Sequence, residues 1–190
     1  MGLKVGFAIT GSFCTFEKTF AQLPAFIEAG YEIIPIMSET AYSTDTRFGT
    51  AQSFVERLEK LTGKSVIHTI KDAEPFGPKA LLDILVIAPC TGNTLGKLAG
   101  GITDTSVTMS VKAHLRNQRP VVIAVSSNDA LAASARNIGQ LINIKNIYFV
   151  PMRQDDFVKK PTSMVADMTM ILPAVQAALE GKQIQPVYIK

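Results

Sequence analysis

The chain has 190 residues, 47% of them hydrophobic and 18% charged, with a formal net charge of +3. That length predicts one domain over residues 1–190, with a core large enough to need no second. The charge is too small, and Lys and Arg too scattered, for a nucleic-acid surface, which leaves small anions as ligands; the slight apolar excess is what surface lost to subunit contacts would produce.

Cys14 and Cys90 lie far apart and offer neither a disulfide framework nor a paired metal motif, so no metal is expected and a reducing cytoplasm is. The N-terminus is expected to run straight into an apolar strand with no cleavable leader, and no apolar run is long enough to span a bilayer.

In chain order, strand-like runs are expected at 3–10, 31–37, 66–70, 84–88, 121–125 and 147–150, with helical segments between most of them. This alternation predicts an α/β protein, a three-layer, Rossmann-like (flavodoxin-type) sandwich with a central parallel sheet. The first helix should start near Ser12 and bury Phe16, Phe20, Leu23 and Ile27, with Pro24 kinking or ending it. Residues 38–49 read as a polar loop and 50–61 as a helix burying Phe54, Leu58 and Leu61, stopped by Gly63. Helices are further expected from Asp104 or Thr105 to Arg116, over about 128–143, and over 162–179 with a bend at Pro173. Residues 152–161 read as a charged loop and 186–189 as a tail strand.

The chemistry should lie at the carboxyl ends of the strands, where open α/β sheets bind ligands. The buried strand Asp83-Ile84-Leu85-Val86-Ile87-Ala88 leads into Pro89-Cys90-Thr91-Gly92-Asn93-Thr94, whose hydroxyl and amide groups, at a helix start, suit a phosphate or carboxylate. At the first strand end, Thr10-Gly11-Ser12 brings a glycine that admits a close ligand and a serine able to cap a helix; the spacing is not the G-x-G-x-x-G of a dinucleotide fingerprint. With Ser38, three polar strand ends converge on one edge, and a phosphate site becomes the better reading. At a fourth end, Ser126-Ser127-Asn128, either Ser127 or Asn128 caps the next helix or the segment walls the same site; the shared edge favours the wall.

His68 and His114 fall away from the strand ends and read as structural, and Cys90, with no sequence partner to activate it, reads as packing. Arg153, Lys159 and Lys160 suit a ligand with carboxylates if their loop folds over the site.

Three segments resemble the flavoprotein family of homo-oligomeric FMN-binding cysteine decarboxylases and flavin prenyltransferases. These are the strand ending in Thr10-Gly11-Ser12, the loop 89–94 with the following Lys97-Leu98-Ala99-Gly100-Gly101-Ile102-Thr103-Asp104, and residues 120–128. The resemblance implies FMN held between neighbouring protomers in trimers or multiples of trimers. It places Thr10, Gly11, Ser12 and Ser38 at the phosphate end, with Thr91, Gly92, Asn93, Thr94, Ser126 and Ser127 along the cofactor. Asn128, Arg47, Lys159 and Lys160 would then take substrate carboxylates.

The decarboxylases carry a histidine shortly before the strand at Asp83, where this chain reads Glu74-Pro75-Phe76-Gly77-Pro78-Lys79, and the prenyltransferases carry an arginine near position 126. Both departures remove support for those two reactions by a stand-alone enzyme. The segments Gly11-Ser12-Phe13-Cys14-Thr15, Asp45-Thr46-Arg47-Phe48-Gly49 and Lys159-Lys160-Pro161-Thr162-Ser163-Met164 resemble a branch of the family that works with a second, NAD(P)-dependent A subunit. That likeness implies oxidation of a dihydropyridine dicarboxylate, or its hydroxylated precursor, to pyridine-2,6-dicarboxylate during sporulation. The alternatives are a scaffold subunit of the same fold and a stand-alone FMN-dependent decarboxylase or prenyltransferase.

Overall fold

The computed structural model describes residues 2–190. Five strands run parallel: β1 (Lys4–Ile9), β2 (Glu32–Met37), β3 (Ile84–Cys90), β4 (Val121–Ser127) and β5 (Ile147–Phe149). Their spatial order is β2-β1-β3-β4-β5, the flavodoxin-type order, with helices on both sides of the sheet. β1 pairs with β2 from Lys4–Glu32 to Ile9–Met37 and with β3 from Val5–Ile84 to Ala8–Ile87, so both neighbours of β1 end at one edge. Every residue of β3 is buried, as its unbroken apolar run predicts for a central parallel strand.

Two strands were not expected. β6 (Met152–Gln154) and β7 (Met164–Ala166) form an antiparallel pair, and β7 joins the far end of β4 through Ser126–Val165 and Ser127–Met164. The sheet is therefore mixed. The charged loop expected at 152–161 is the rising strand and tip of this hairpin. The strand expected at 66–70 shrinks to one bridge between Ile36 and Ile67, because Thr69 turns the chain by accepting from the Asp72 amide at 3.1 Å. The tail strand likewise reduces to one bridge, Met152–Tyr188.

Helix α1 (Phe16–Phe20) follows a single 3₁₀ turn, and α2 (Leu23–Glu28) begins anew after a break at Ala21 and Gln22. Pro24 sits in the first turn of α2, where its missing N–H costs nothing. The restart also re-phases the buried stripe: Phe26 turns inward beneath Phe7, and Ile27 is 44% exposed.

Residues 39–43 form a helix where a loop was expected: α3 (Glu39–Ser43) is capped by Ser38, whose hydroxyl accepts from the Ala41 amide at 3.2 Å. α4 (Ala51–Thr62) is capped by Thr50 and ends at Gly63 in the left-handed region, with φ of 66°. Its Phe54 ring meets those of Phe16 and Phe20 at 4.9 and 6.1 Å, while Leu61 is only half-buried. Next come the short α5 (Ile70–Ala73), α6 (Gly92–Ala99), and α7 (Ser106–Leu115), which opens on a Thr105–Thr108 capping box.

Helix α8 (Ala135–Ile142) starts later than expected because the preceding residues form turns on Asp129, whose carbonyl accepts from the Ala132 and Ser134 amides. α9 (Ile171–Leu179) is shorter than the helix expected from 162, since part of that segment is β7. No helix among the described residues is long and apolar enough to cross a membrane.

Candidate functional site

The order reverses between β1 and β3, and their carboxyl ends stand side by side. Thr10, at the end of β1, is buried and ties the two ends together. Its hydroxyl donates to the Pro89 carbonyl at 2.8 Å and accepts from the Thr91 amide at 3.0 Å, while its own amide reaches Pro89 at 3.2 Å. Thr10 thus spends its polar groups on the scaffold.

Two cavities open at this junction and share Gly11 and Thr91. The larger, about 610 Å³, is lined by Ser12, Phe13, Cys14, Lys18, Arg47, Phe48, Gly92, Ser126, Ser127, Asn128, Asp155, Lys160, Met164 and Val165 among others. The smaller, about 240 Å³, is lined by Thr10, Ser38, Glu39, Thr40, Asn93, Thr94, Lys97 and Thr105. The expected site residues therefore come together on one sheet edge but in two groups, with Asn93 and Thr94 beside Ser38, and Arg47, Lys160 and Asn128 beside Ser12. Lys159 lines neither cavity; it is exposed, and its amide donates to Asp156 Oδ1 at 2.9 Å. Arg153 is also exposed on β6 and outside both.

Local chemistry explains each placement. Ser12 does not cap the first helical turn; its hydroxyl turns instead to that of Ser126 at 2.8 Å, with Cys14 Sγ at 3.9 Å. Thr91 is the N-cap of α6 and accepts from the Thr94 amide at 3.3 Å, which aims the first turn's free N–H groups at the junction. Gly92 is demanded by packing. A Cβ there would stand 2.6 Å from both Asp129 Oδ1 and Ser127 Oγ, and 2.8 Å from Ser134 Oγ. Ser127 donates to the Asp129 carboxylate, which also accepts from Ser134 Oγ at 3.0 Å. The Ser127 hydroxyl also accepts from the Asp129 amide at 3.4 Å, which leaves it one lone pair for the cavity. Asn128 caps no helix; its carbonyl accepts from Thr162 Oγ1 at 2.7 Å and its side-chain oxygen from Ser163 Oγ at 3.4 Å, pinning it to the hairpin.

The electrostatics are uneven. In the larger cavity Lys160 Nζ reaches Asp155 at 2.8 Å, and this hydrogen bond, with the aspartate's charge, holds the Lys160 pKa above its ordinary value. In the smaller one Lys97 Nζ grips Asp104 at 2.8 Å, which keeps that carboxyl below its usual range. Cys90 is buried and its thiol is pushed far up by burial, in keeping with a packing role. His114 is buried in α7 and donates from Nε2 to the Pro120 carbonyl at 3.0 Å; His68 stacks on Tyr42 with ring centroids 3.6 Å apart. Neither histidine lines either of these two cavities, and no metal-binding cluster occurs among the described residues.

Several wall residues were not singled out as site residues from the sequence, notably Cys14, Lys18, Asp155 and Lys97. Cys14 and Lys18 carried a signal: they are four apart at the start of the first helical region, on the side opposite the buried Phe16 and Phe20. For Asp155 the signal was the charged run 152–161 itself, whose Lys160 reaches the site as expected while its strands went unrecognised.

A family model described as Flavoprotein matches residues 1–179. The chain is 45% identical over 189 residues to the B subunit of dipicolinate synthase of Bacillus subtilis (strain 168), covering 100% of this chain and 94% of that protein. The crystal structure of the dipicolinate synthase B subunit from Bacillus halodurans superposes with a TM-score of 0.91 at 43% identity, covering 100% of this chain and 97% of that one. The FMN-dependent cysteine decarboxylase SpaF superposes with a TM-score of 0.67 at 25% identity, over 94% of this chain and 95% of that one.

Proposed function

The chain belongs to the Flavoprotein family, and from that premise we propose that it is the B subunit of a dipicolinate synthase. It acts with an A subunit to oxidise dihydrodipicolinate, or to dehydrate and oxidise its hydroxylated precursor, to pyridine-2,6-dicarboxylate in the cytoplasm of a sporulating cell. The observation that carries this reading is the larger cavity at the β1/β3 junction, with hydroxyls on its floor, cations on its walls and apolar surface from Phe13, Phe48, Met164 and Val165 for the flat of a ring.

The residues present fit an FMN. The smaller cavity, with Ser38, Asn93, Thr94 and Lys97 around the N-terminus of α6, suits a phosphate; the larger suits a ring system, and Gly11 and Thr91 join the two. When bound, the flavin would supply a hydride acceptor, with NAD(P) on the A subunit as the other.

The chain's own residues would supply position and charge. Asn128, Arg47 and Lys160 would orient and neutralise the two carboxylates, and Lys159 would reach them only if the hairpin tip bent inward. Ser127, its proton committed to Asp129, would accept a hydrogen bond from the ligand. Assembly as a homo-oligomer, a trimer or a multiple of trimers, belongs to the same reading.

Co-expression with the A subunit and an assay for dipicolinate tests the proposal: activity should need both chains, and full activity of the A subunit alone would sink it. Titration of the purified chain with FMN, followed in the visible spectrum, tests the cofactor, and no binding at high micromolar FMN would remove it. A second reading is a scaffold that orients the A subunit, favoured by the absence of histidine from both cavity walls. Full synthase activity of a complex carrying Asn93→Ala and Ser127→Ala together would select it.

A further inference from the structure

The larger cavity carries more positive charge than a neutral ring requires. Lys18, Arg47 and Lys160 stand on its walls against one carboxylate, Asp155. That carboxylate is already engaged, since it accepts from Lys160 Nζ at 2.8 Å. Lys18 and Arg47 have no carboxylate partner among the described residues, and the Arg47 guanidinium lies over the ring of its neighbour Phe48, 4.8 Å from the centroid. Both residues are exposed, and on a convex surface two such cations would simply be hydrated. In a concavity with apolar walls their fields add, and the site is poised for more than one negative charge. They also come from different elements, Lys18 from α1 and Arg47 from the connection between α3 and α4, so the chain order does not force them together.

We infer that Lys18 and Arg47 form a two-point clamp for a small ligand with two anionic groups, through which the larger cavity selects a dicarboxylate over the corresponding monocarboxylate. The inference rests on the proposed function and adds Lys18 to it. The planar guanidinium matches one carboxylate in a bidentate fashion, and the lysine meets the second as a point charge. Lys160 is a weaker member because its charge is offset by Asp155. A flavin phosphate is the other dianion in prospect; the smaller cavity meets it with the Ser38, Thr40 and Thr94 hydroxyls, the Asn93 amide and the start of α6, while its Lys97 is offset by Asp104 as Lys160 is by Asp155.

The test is equilibrium titration of the purified full chain, at low ionic strength, with pyridine-2,6-dicarboxylate and with pyridine-2-carboxylate. Removing one charge-assisted hydrogen bond should weaken binding about tenfold or more. The wild-type chain should therefore prefer the dicarboxylate by about that factor, and Lys18→Gln or Arg47→Gln should bring it close to the monocarboxylate. Lys18→Arg, which keeps the charge, should retain the preference. FMN and riboflavin, titrated in parallel, should keep the same ratio of affinities in both variants as in wild type, because the phosphate that distinguishes them belongs to the smaller cavity.

Equal wild-type affinity for the two pyridines, or binding of neither, overturns the clamp, as does a preference unchanged in both variants. A loss confined to FMN overturns it in favour of a phosphate. A wild-type chain indifferent to the second carboxylate, in a complex that still needs it to make dipicolinate, would overturn the clamp and leave the proposed function standing.

Discussion

The hydroxyls of Ser12 and Ser126 lie 2.8 Å apart, linking the ends of β1 and β4 across 114 positions of sequence. Each hydroxyl has one proton, so within the pair one is used and one remains for a ligand. Replacing either serine by alanine should cost about 0.5–1.5 kcal/mol of unfolding free energy, the net value of one such bond. The double variant should lose little more than the larger single loss, because both substitutions remove the same bond. Urea denaturation of the three variants measures this directly.

Gly92 and Gly139 should respond to alanine with opposite sign. At Gly92 the new methyl would meet the Ser127–Asp129–Ser134 cluster at 2.6–2.8 Å, and overpacking of that kind costs about 1–3 kcal/mol. At Gly139, inside α8, a Cβ has nothing within 4 Å, and the gain in helix propensity should stabilise the fold by about 0.5–1 kcal/mol. Thermal melts of Gly92→Ala and Gly139→Ala should therefore move in opposite directions.

Stability should fall in mild acid through His114. Burial, partly countered by the hydrogen bond to the Pro120 carbonyl, pushes its pKa down to about 4 from an ordinary 6.5. Between those values the unfolded chain binds a proton that the folded chain refuses. The contribution is thus intact above pH 6.5 and is lost as pH falls towards about 4. The full span is on the order of 3 kcal/mol. Urea midpoints at pH 7.5 and 5 should show the drop, and His114→Leu should flatten it.

The two cysteines should differ sharply towards a thiol reagent. Cys14 is exposed on the wall of the larger cavity, whereas Cys90 is buried with its thiol held protonated. The native chain should release one equivalent of chromophore from Ellman's reagent and the unfolded chain two. Bound ligand should slow the first reaction, and an equally fast reaction in saturating dipicolinate would place that ligand elsewhere.

The parallel half of the sheet was legible because burial on both faces writes itself as aliphatic runs, of which 84–88 and 121–125 are the plainest. The convergence of Ser12, Ser38, Thr91 and Ser126 followed from the same rule, since residues just past parallel strands share an edge. The hairpin was hidden for a physical reason. Its strands are three residues long, β6 buries only Met152, and the apolar Met164-Val165-Ala166 merges with the periodicity of α9 into one apparent helix. Ile27 was misassigned because the buried stripe was carried through an interruption that Pro24 itself announced: the helix ends at Phe20 and restarts at Leu23, which rotates the inward face by one residue. The pairing of Lys160 with Asp155 and the position of Lys18 depend on how the hairpin and α1 are set around the cavity, which local pattern does not encode.

β4 changes partners along its length: Val121–Ile123 pair with β5 in parallel, and Ser126–Ser127 pair with β7 in the opposite sense. The wall of the larger cavity is thus the seam between a well-buried sheet and a small flap whose tip residues, Phe157 and Val158, are 72% and 76% exposed. A seam of that kind opens at far lower free energy than the sheet it borders. Occupancy should then be written into amide exchange: ligand contacts spanning the seam would slow exchange across residues 152–166 while leaving β1 and β3 as they were.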